Sequence, residues 1–124
     1  MKFKTSIDTL LKALQKVLPA LPRKSTLPIL EHLYFSLYND ALQIIATDQD
    51  ITIQTDIQVE GEINGAILIP GRKLVDIVKA LGSEGTINFS VNEDNYEITL
   101  TSETPIGRYT LKGLESSQFM KIPE

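Results

Sequence analysis

The stretch from Ser6 to Leu30, SIDTLLKALQKVLPALPRKSTLPIL, decides how the rest of the chain is arranged. Its apolar residues recur at steps of three and four, so that at 3.6 residues per turn they form one continuous helical stripe. The stripe consists of Ile7, Leu10, Leu11, Leu14, Val17 and Leu18. Ser6 is a suitable N-cap and Pro19 prevents continuation, which predicts a helix that ends near residue 18. Lys12 and Lys16 lie opposite the stripe, so this helix would bury one side and display lysines on the other.

Length and composition indicate one globular domain. The chain has 124 residues, 42% of them hydrophobic and 23% charged, which is the balance of a folded protein rather than a disordered one. It contains no cysteine, and this excludes disulfides and thiolate metal sites. No apolar run reaches membrane-spanning length, and the start of the chain leads into no signal-peptide core. We therefore expect a soluble cytoplasmic protein with no membrane partner.

The charges are unevenly distributed along the chain. The net charge is −4, yet residues 1–24 carry six basic groups and one acidic group, while residues 25–71 carry seven acidic groups and no Lys or Arg. Seven cations fall into two short blocks, which we call the first cation block (Lys12, Lys16, Arg23 and Lys24) and the second cation block (Arg72, Lys73 and Lys79). Because a local field depends on where charges lie, the net charge does not exclude a polyanionic partner. Two ordinary solvated helix faces would give the same pattern.

Alternation of apolar and polar residues predicts strands in most of the remaining chain. The predicted strands cover 1–5, 30–38, 41–47, 51–60, 66–69, 86–91, 96–101 and 106–111. Asn64-Gly65 is expected to form a hairpin turn between two of them. A second helix is predicted from Arg72 to about Leu81, opened by Pro70-Gly71 and stopped by Gly82. The last nine residues, 116–124, contain no periodic element and are expected to form a linker or tail.

The order of these elements repeats. A strand, a helix and three strands occur in residues 1–60 and again in residues 66–111, and the helix cores LLKALQKVL and KLVDIVKAL are similar. The predicted fold class is therefore α+β, with two βαβββ-type units, antiparallel sheets and two helices on one face. In this arrangement both cation blocks would point in the same direction, into solvent.

Nothing in the sequence resembles an active site. Asp48 and Asp50 supply too few oxygen ligands for a cation site and are expected to cap their own turn. His32 is the only histidine, so a zinc site or a nucleophile–histidine pair has no partners here. The glycines form no phosphate-binding loop. We predict no catalytic residue, no metal and no cofactor, and therefore a protein that is not an enzyme.

The last predicted strand allows two interpretations. Tyr109 and Leu111 alternate with Arg108, Thr110 and Lys112. If this strand lies at the edge of a sheet, its unpaired backbone groups and apolar side chains could pair with another chain. Otherwise both residues belong to the core, and the residues alone do not decide between the two.

Five short motifs resemble those of one family. They are MKF at 1–3, LLKALQKV at 10–17, STLPIL at 25–30, TD at 47–48 and PGRK at 70–73. In this order and spacing they closely resemble the N-terminal domain of the bacterial replicative sliding clamp, the beta subunit of DNA polymerase III. The resemblance covers essentially the whole chain, and TLPIL and the PGRK helix start are its most specific parts.

The resemblance implies a three-domain chain that dimerises head to tail into a ring around double-stranded DNA. Residues 1–115 would be the N-terminal clamp domain, and residues 116–124 the start of a linker to a missing second domain. The replicative polymerase and the clamp loader would bind through later domains. The alternative is a small α+β protein-interaction domain with no role on DNA.

The resemblance also assigns residues to two surfaces. The expected DNA-facing residues are Lys12, Lys16, Arg23, Lys24, Arg72 and Lys79. The expected contacts with the partner subunit are Lys73, Tyr109 and Leu111.

Overall fold

Two helices and two antiparallel sheets form the described part of the chain, which a computed structural model covers for residues 1–22, 24–25, 27–82, 84–103 and 106–121. The helices are α1 (Ile7–Val17) and α2 (Gly71–Leu81), with short 3-10 turns at Leu18–Ala20, Pro28–Glu31 and Ser116–Lys121. The strands are β1 (Lys2–Ser6), β2 (His32–Tyr38), β3 (Ala41–Thr47), β4 (Thr52–Gln58), β5 (Glu60–Ile63), β6 (Gly65–Pro70), β7 (Thr86–Asn92), β8 (Glu97–Glu103) and β9 (Ile106–Lys112). Neither helix in these ranges is long and apolar enough to span a membrane.

The two repeated units exchange their first strands. The five-stranded sheet has the order β5-β1-β7-β8-β9, and the four-stranded sheet has the order β4-β3-β2-β6. Strand β1 of the first unit therefore pairs with β7 of the second, and β6 of the second unit pairs with β2 of the first. Each sheet needs strands from both units, so the two βαβββ units form a single domain. The predicted α+β class and the predicted repeat are confirmed.

Both helices begin and end as the sequence predicts. The Ser6 Oγ accepts a hydrogen bond from the Thr9 backbone N–H at 3.0 Å, which satisfies one of the unpaired donors at the start of α1. Helix α2 starts at Gly71 with no side-chain cap, and it ends at Gly82, whose φ of 87° is readily available only to glycine. The apolar stripe of each helix is buried in the common core.

Three aromatic rings connect the sheets within this core. The Phe89 ring of β7 stacks on Phe3 of the neighbouring strand β1, with ring centroids 4.7 Å apart. Its centroid also lies 5.5 Å from that of Phe35, which belongs to β2 in the other sheet. All three rings are fully buried. The stack therefore packs the two sheets against each other at their centre, where aromatic pairs add to the burial of apolar area.

The prediction of one strand over residues 51–60 is wrong, and so is the predicted Asn64-Gly65 hairpin. Strand β4 ends at Gln58, and β5 begins at Glu60 in the other sheet, so β5 and β6 are not paired. The Asn39-Asp40 turn fixes this change of sheet, because Asp40 accepts hydrogen bonds from the backbone N–H groups of Val59 and Gly61 at 2.9 and 3.0 Å. The alternation of apolar residues continues across the bend, so it gives no sign of the change.

The prediction that residues 116–124 lack an element is wrong for its first part. Ser116–Lys121 forms a 3-10 helix, and the Phe119 ring stacks on Tyr34 with centroids 4.9 Å apart. Just before it, Leu114 forms an antiparallel bridge with Leu68, with N···O distances of 2.9 and 3.1 Å. Tyr34 alternates with the core residues of β2, so this segment covers the outer face of the four-stranded sheet. Residues 122–124 lie outside the described range.

Candidate nucleic-acid interface

The exposed sides of α1 and α2 adjoin each other. The two helices are in contact, and each turns its apolar stripe into the same core. Since the opposite sides carry lysines, the charged sides form neighbouring parts of one surface. This is the arrangement that the repeated strand-helix order predicted.

The loop that follows α1 is attached to the start of α2. One Nη2 N–H of Arg72 donates to the Leu21 backbone carbonyl at 3.0 Å. The Leu21 side chain is 3% exposed and lies against Gly71, where an added Cβ would come within 2.5 Å of the Leu21 Cδ2. We call these three residues, Leu21, Gly71 and Arg72, the loop–helix contact. Through this contact, the segment that leads to Lys24 of the first cation block lies beside Arg72, the first residue of the second cation block.

The structure exposes most of the predicted DNA-facing residues. Lys16, Lys24 and Lys79 are exposed. Lys12 is also exposed and forms an ion pair with Asp8, one helical turn earlier, with a distance of 3.0 Å between Lys12 Nζ and Asp8 Oδ2. Such exposed pairs are weak and compete little with another anion. Arg23 lies outside the described residues.

Arg72 differs from the other predicted DNA-facing residues because it is half-buried. Besides the hydrogen bond to Leu21, its Nε is buried and has no hydrogen-bond partner among the described residues. Sequence reasoning placed Arg72 with the exposed cations and did not anticipate its contact with the loop. The available signal was weak: a glycine that directly precedes an arginine at a helix start allows a close approach by another segment.

The spacing on α2 separates its cations into two stripes. Arg72, Asp76 and Lys79 follow at steps of four and three residues, so they share one side of the helix. Lys73 and Ile77 lie on the adjacent stripe, where Ile77 packs partly against the core. The predicted DNA-facing and subunit-facing residues of this helix therefore fall on different stripes.

Strand β9 is the outermost strand of the five-stranded sheet as far as the structure is described. Tyr109 and Leu111 are half-buried and pack against the core, whereas Arg108 is exposed. The Tyr109 ring lies over Gly107, where an added Cβ would come within 2.9 Å of the ring atom Cε2. Ile106, at the start of the strand, is 91% exposed. Tyr109 and Leu111 thus contact the core and also lie on an edge strand, so each of the two interpretations describes them in part.

The residues considered for catalysis or metal binding have structural roles. The Asp48 Oδ1 accepts hydrogen bonds from the backbone N–H groups of Asp50 and Ile51 at 2.9 and 2.7 Å, as expected for a self-capped turn. The His32 Nδ1 lies 3.0 Å from the Pro28 carbonyl oxygen, to which it donates. Within the described ranges, no cluster of three or more acidic, His or Cys side chains could hold a metal ion.

Solved structures of one class share this fold. A sliding clamp (DNA polymerase III subunit beta) from Pseudomonas aeruginosa has a TM-score of 0.88 at 29% sequence identity, over 100% of this chain and 33% of that chain. A DNA polymerase sliding clamp from Caulobacter crescentus has a TM-score of 0.90 at 27% identity, again over 100% of this chain and 33% of that chain. The arrangement of sheets and helices is that of a sliding-clamp domain.

Sequence comparison identifies which domain it is. The family profile for the DNA polymerase III beta subunit, N-terminal domain, matches residues 1–123. The beta sliding clamp of Vibrio harveyi is 30% identical over 125 residues, covering 100% of this chain and 83% of that sequence. The beta sliding clamp of Pseudomonas putida is also 30% identical over 125 residues, covering 100% of this chain and 33% of that sequence. The chain belongs to the family of DNA polymerase III beta subunit N-terminal domains, and it spans about a third of the Pseudomonas relative.

Proposed function

We propose that this chain is the first domain of a DNA sliding clamp, a non-catalytic processivity factor that encircles double-stranded DNA. The observation that carries the proposal is the contact between α1 and α2, which brings the exposed cations of two distant segments onto one surface. Membership of the beta-subunit family supports the same function. The alternative, a protein-interaction domain with no role on DNA, is not favoured by these comparisons.

The chemistry of this surface suits a protein that slides. Lysines on helix faces meet phosphates as mobile, hydrated ion pairs, so the contact is independent of base sequence and weakens as salt is added. Tight binding at one site is not needed, because a closed ring retains DNA by topology rather than by affinity. The proposed DNA-facing residues are Lys12, Lys16, Arg23, Lys24, Arg72 and Lys79.

The edge strand β9 is the proposed contact with a second subunit. Its position at the edge of the sheet and the exposed Ile106 support pairing with another chain. Lys73, Tyr109 and Leu111 are the proposed contact residues, in a head-to-tail ring of two copies of the full-length protein. The replicative polymerase and the clamp loader would bind through domains beyond this one.

A comparison of two charge-removing variants tests the DNA contact. In the full-length protein, Lys16→Gln with Lys79→Gln removes two charges from the helix surface. The matched control, Lys2→Gln with Lys4→Gln, removes two exposed charges from β1, where both side chains alternate with core residues and so face away from the helices. Binding to a short linear duplex is measured as a function of salt.

The helix variant is expected to bind more weakly, with a slope of log K against log salt that is smaller by about 0.9 for each phosphate that the protein no longer neutralises. The control should keep the wild-type slope. If the helix variant retains both the wild-type affinity and the wild-type slope, this surface does not contact DNA and the proposed function is wrong for it.

A further inference from the structure

We propose that Arg72 is a positioning residue, which holds the basic loop after α1 against α2 so that the two cation blocks act as one surface. This inference rests on the proposed function. It assigns Arg72 a task other than a simple phosphate contact: its guanidinium acts first on the protein's own backbone. Lys24 follows the anchored Leu21 by three residues, so the position of Lys24 depends on the contact that Arg72 makes.

Leu21 and Gly71 are in close steric contact. Leu21 fits against Gly71 because glycine has no side chain. A Cβ added at Gly71 would lie 2.5 Å from Cδ2 and 3.1 Å from Cδ1 of Leu21. The Leu21 side chain is only 3% exposed, and its N–H donates to the Leu18 carbonyl at 3.0 Å. The loop therefore starts from a fixed residue, and that residue is fixed against the first turn of α2.

The hydrogen bond from Arg72 holds the backbone of the loop at Leu21. The Leu21 carbonyl precedes Pro22, a residue with no N–H of its own. Arg72 reaches this carbonyl across 51 positions of sequence, with a charged donor whose hydrogen bonds are stronger than those between neutral groups. A planar guanidinium can hold the carbonyl with one N–H while others point elsewhere, which a lysine ammonium on a flexible stem does less well.

The charge of Arg72 is also available for DNA. In the described residues no ion pair joins Arg72 to a carboxylate, so its positive charge is free to act together with the other exposed cations of the two blocks. Lys24 is exposed, and beside it the Ser25 Oγ accepts a hydrogen bond from the Leu27 N–H at 3.1 Å. A loop that is ordered before DNA arrives loses less conformational entropy on binding than a free one. Arg72 thus strengthens the phosphate contacts of other residues.

The decisive variant is Arg72→Lys, because it keeps the charge and changes the geometry of the donor. A residue that only contacts phosphate would tolerate this change, since lysine is itself a good phosphate ligand. A positioning residue would not. The comparison variant is Lys79→Gln, which removes a charge from the same stripe of α2 and has no part in the loop–helix contact.

Two measurements separate the outcomes in the full-length protein. Without DNA, Arg72→Lys should speed hydrogen exchange of the Leu21 amide by about tenfold and lower the heteronuclear NOE of the Lys24 amide, while Lys79→Gln leaves both unchanged. On a short linear duplex, Arg72→Lys should bind about fivefold more weakly with an unchanged salt slope, because the number of cations is the same. Lys79→Gln should reduce the slope by about 0.9.

The proposal is overturned if Arg72→Lys exchanges at Leu21 as the wild type does, or if it loosens the loop and still binds DNA with full affinity. A wild-type protein that binds no DNA would instead refute the proposed function. Exchange in the absence of DNA would still decide whether Arg72 holds the loop.

Discussion

The two repeated units contain the same elements, but the chain leaves them in different ways. After β4 it crosses to the opposite sheet and pairs with β1 as β5, a strand of four residues. After β9 it also crosses to the opposite sheet, but pairs with β6 only through the single bridge at Leu114. It then forms the 3-10 helix on that sheet's outer face. We call these two stretches, residues 60–63 and 113–121, the closing segments. Each unit therefore adds two pieces to the sheet of the other unit. One piece is its first strand, and the other is the segment that follows its last strand.

Both closing segments use a glycine that approaches a backbone carbonyl. An added Cβ at Gly61 would lie 1.8 Å from the Asn39 carbonyl oxygen, and one at Gly113 would lie 2.7 Å from that of Leu68. A backbone atom cannot rotate away as a side chain can, so either substitution would move the strand. The first approach is closer because Gly61 lies against the Asn39-Asp40 turn, whose Asp40 side chain accepts a hydrogen bond from the Gly61 N–H.

The largest expected effect comes from placing alanine at Gly61, with Gly113→Ala as the comparison. Gly61→Ala should destabilise the protein by about 3 kcal/mol, because a backbone shift is needed, and Gly113→Ala by about 1 kcal/mol. Urea unfolding of both variants beside the wild type measures the difference. Equal losses of stability would mean that the two closing segments are held equally tightly, contrary to the distances.

The second prediction concerns the aromatic contact of the later closing segment. Phe119→Ala should cost about 1.5 kcal/mol, because the ring is half-buried on Tyr34 and its removal uncovers part of the outer face of the four-stranded sheet. The control is Tyr38→Ala, which removes a 72% exposed ring from the end of β2 and should cost less than about 0.5 kcal/mol. Urea unfolding gives both values, and hydrogen exchange of the Leu114 amide should become faster only in the first variant. If the two variants lose the same stability, the segment is not part of the folded domain.

The smallest expected effect distinguishes how the two helices begin. Helix α1 has a side-chain cap from Ser6, while α2 has none and relies on its contact with the loop. Ser6→Ala should therefore cost about 1 kcal/mol in thermal or urea unfolding, and Ser6→Asp should recover most of it, because aspartate also caps and favours the helix dipole. A destabilisation of the same size in both variants would show that the hydroxyl does not act as a cap.

Features that depend on local periodicity could be predicted from the sequence. The start of α1 at Ser6, the end of α2 at Gly82 and strand β3 follow from the spacing of apolar residues and from capping residues close by. The change of sheet at Val59 could not be predicted, because it depends on hydrogen bonds that Val59 and Gly61 donate to the distant Asp40. The 3-10 helix near Phe119 was missed for the same reason, since its partner Tyr34 lies 85 residues earlier.

The candidate interface divides in the same way. The two cation blocks are visible in the sequence, because charge clusters and helix periodicity are local properties. The contact between Arg72 and Leu21 is barely visible, because the two residues are 51 positions apart and only the glycine before Arg72 indicates a close approach. The sequence therefore indicates which residues could meet a polyanion, and the structure adds the hydrogen bond between Arg72 and the Leu21 carbonyl.

The exchange of first strands also affects how the chain folds during synthesis. Lys2 of β1 pairs with Ser90 of β7. Strand β1 therefore cannot gain its β7 neighbour until most of the domain has left the ribosome. Pairings between such distant residues slow folding and keep nascent apolar surface exposed for longer. A ribosome stalled before residue 86 would therefore hold a β1 that can pair with β5 on one side only, and its other edge would stay open.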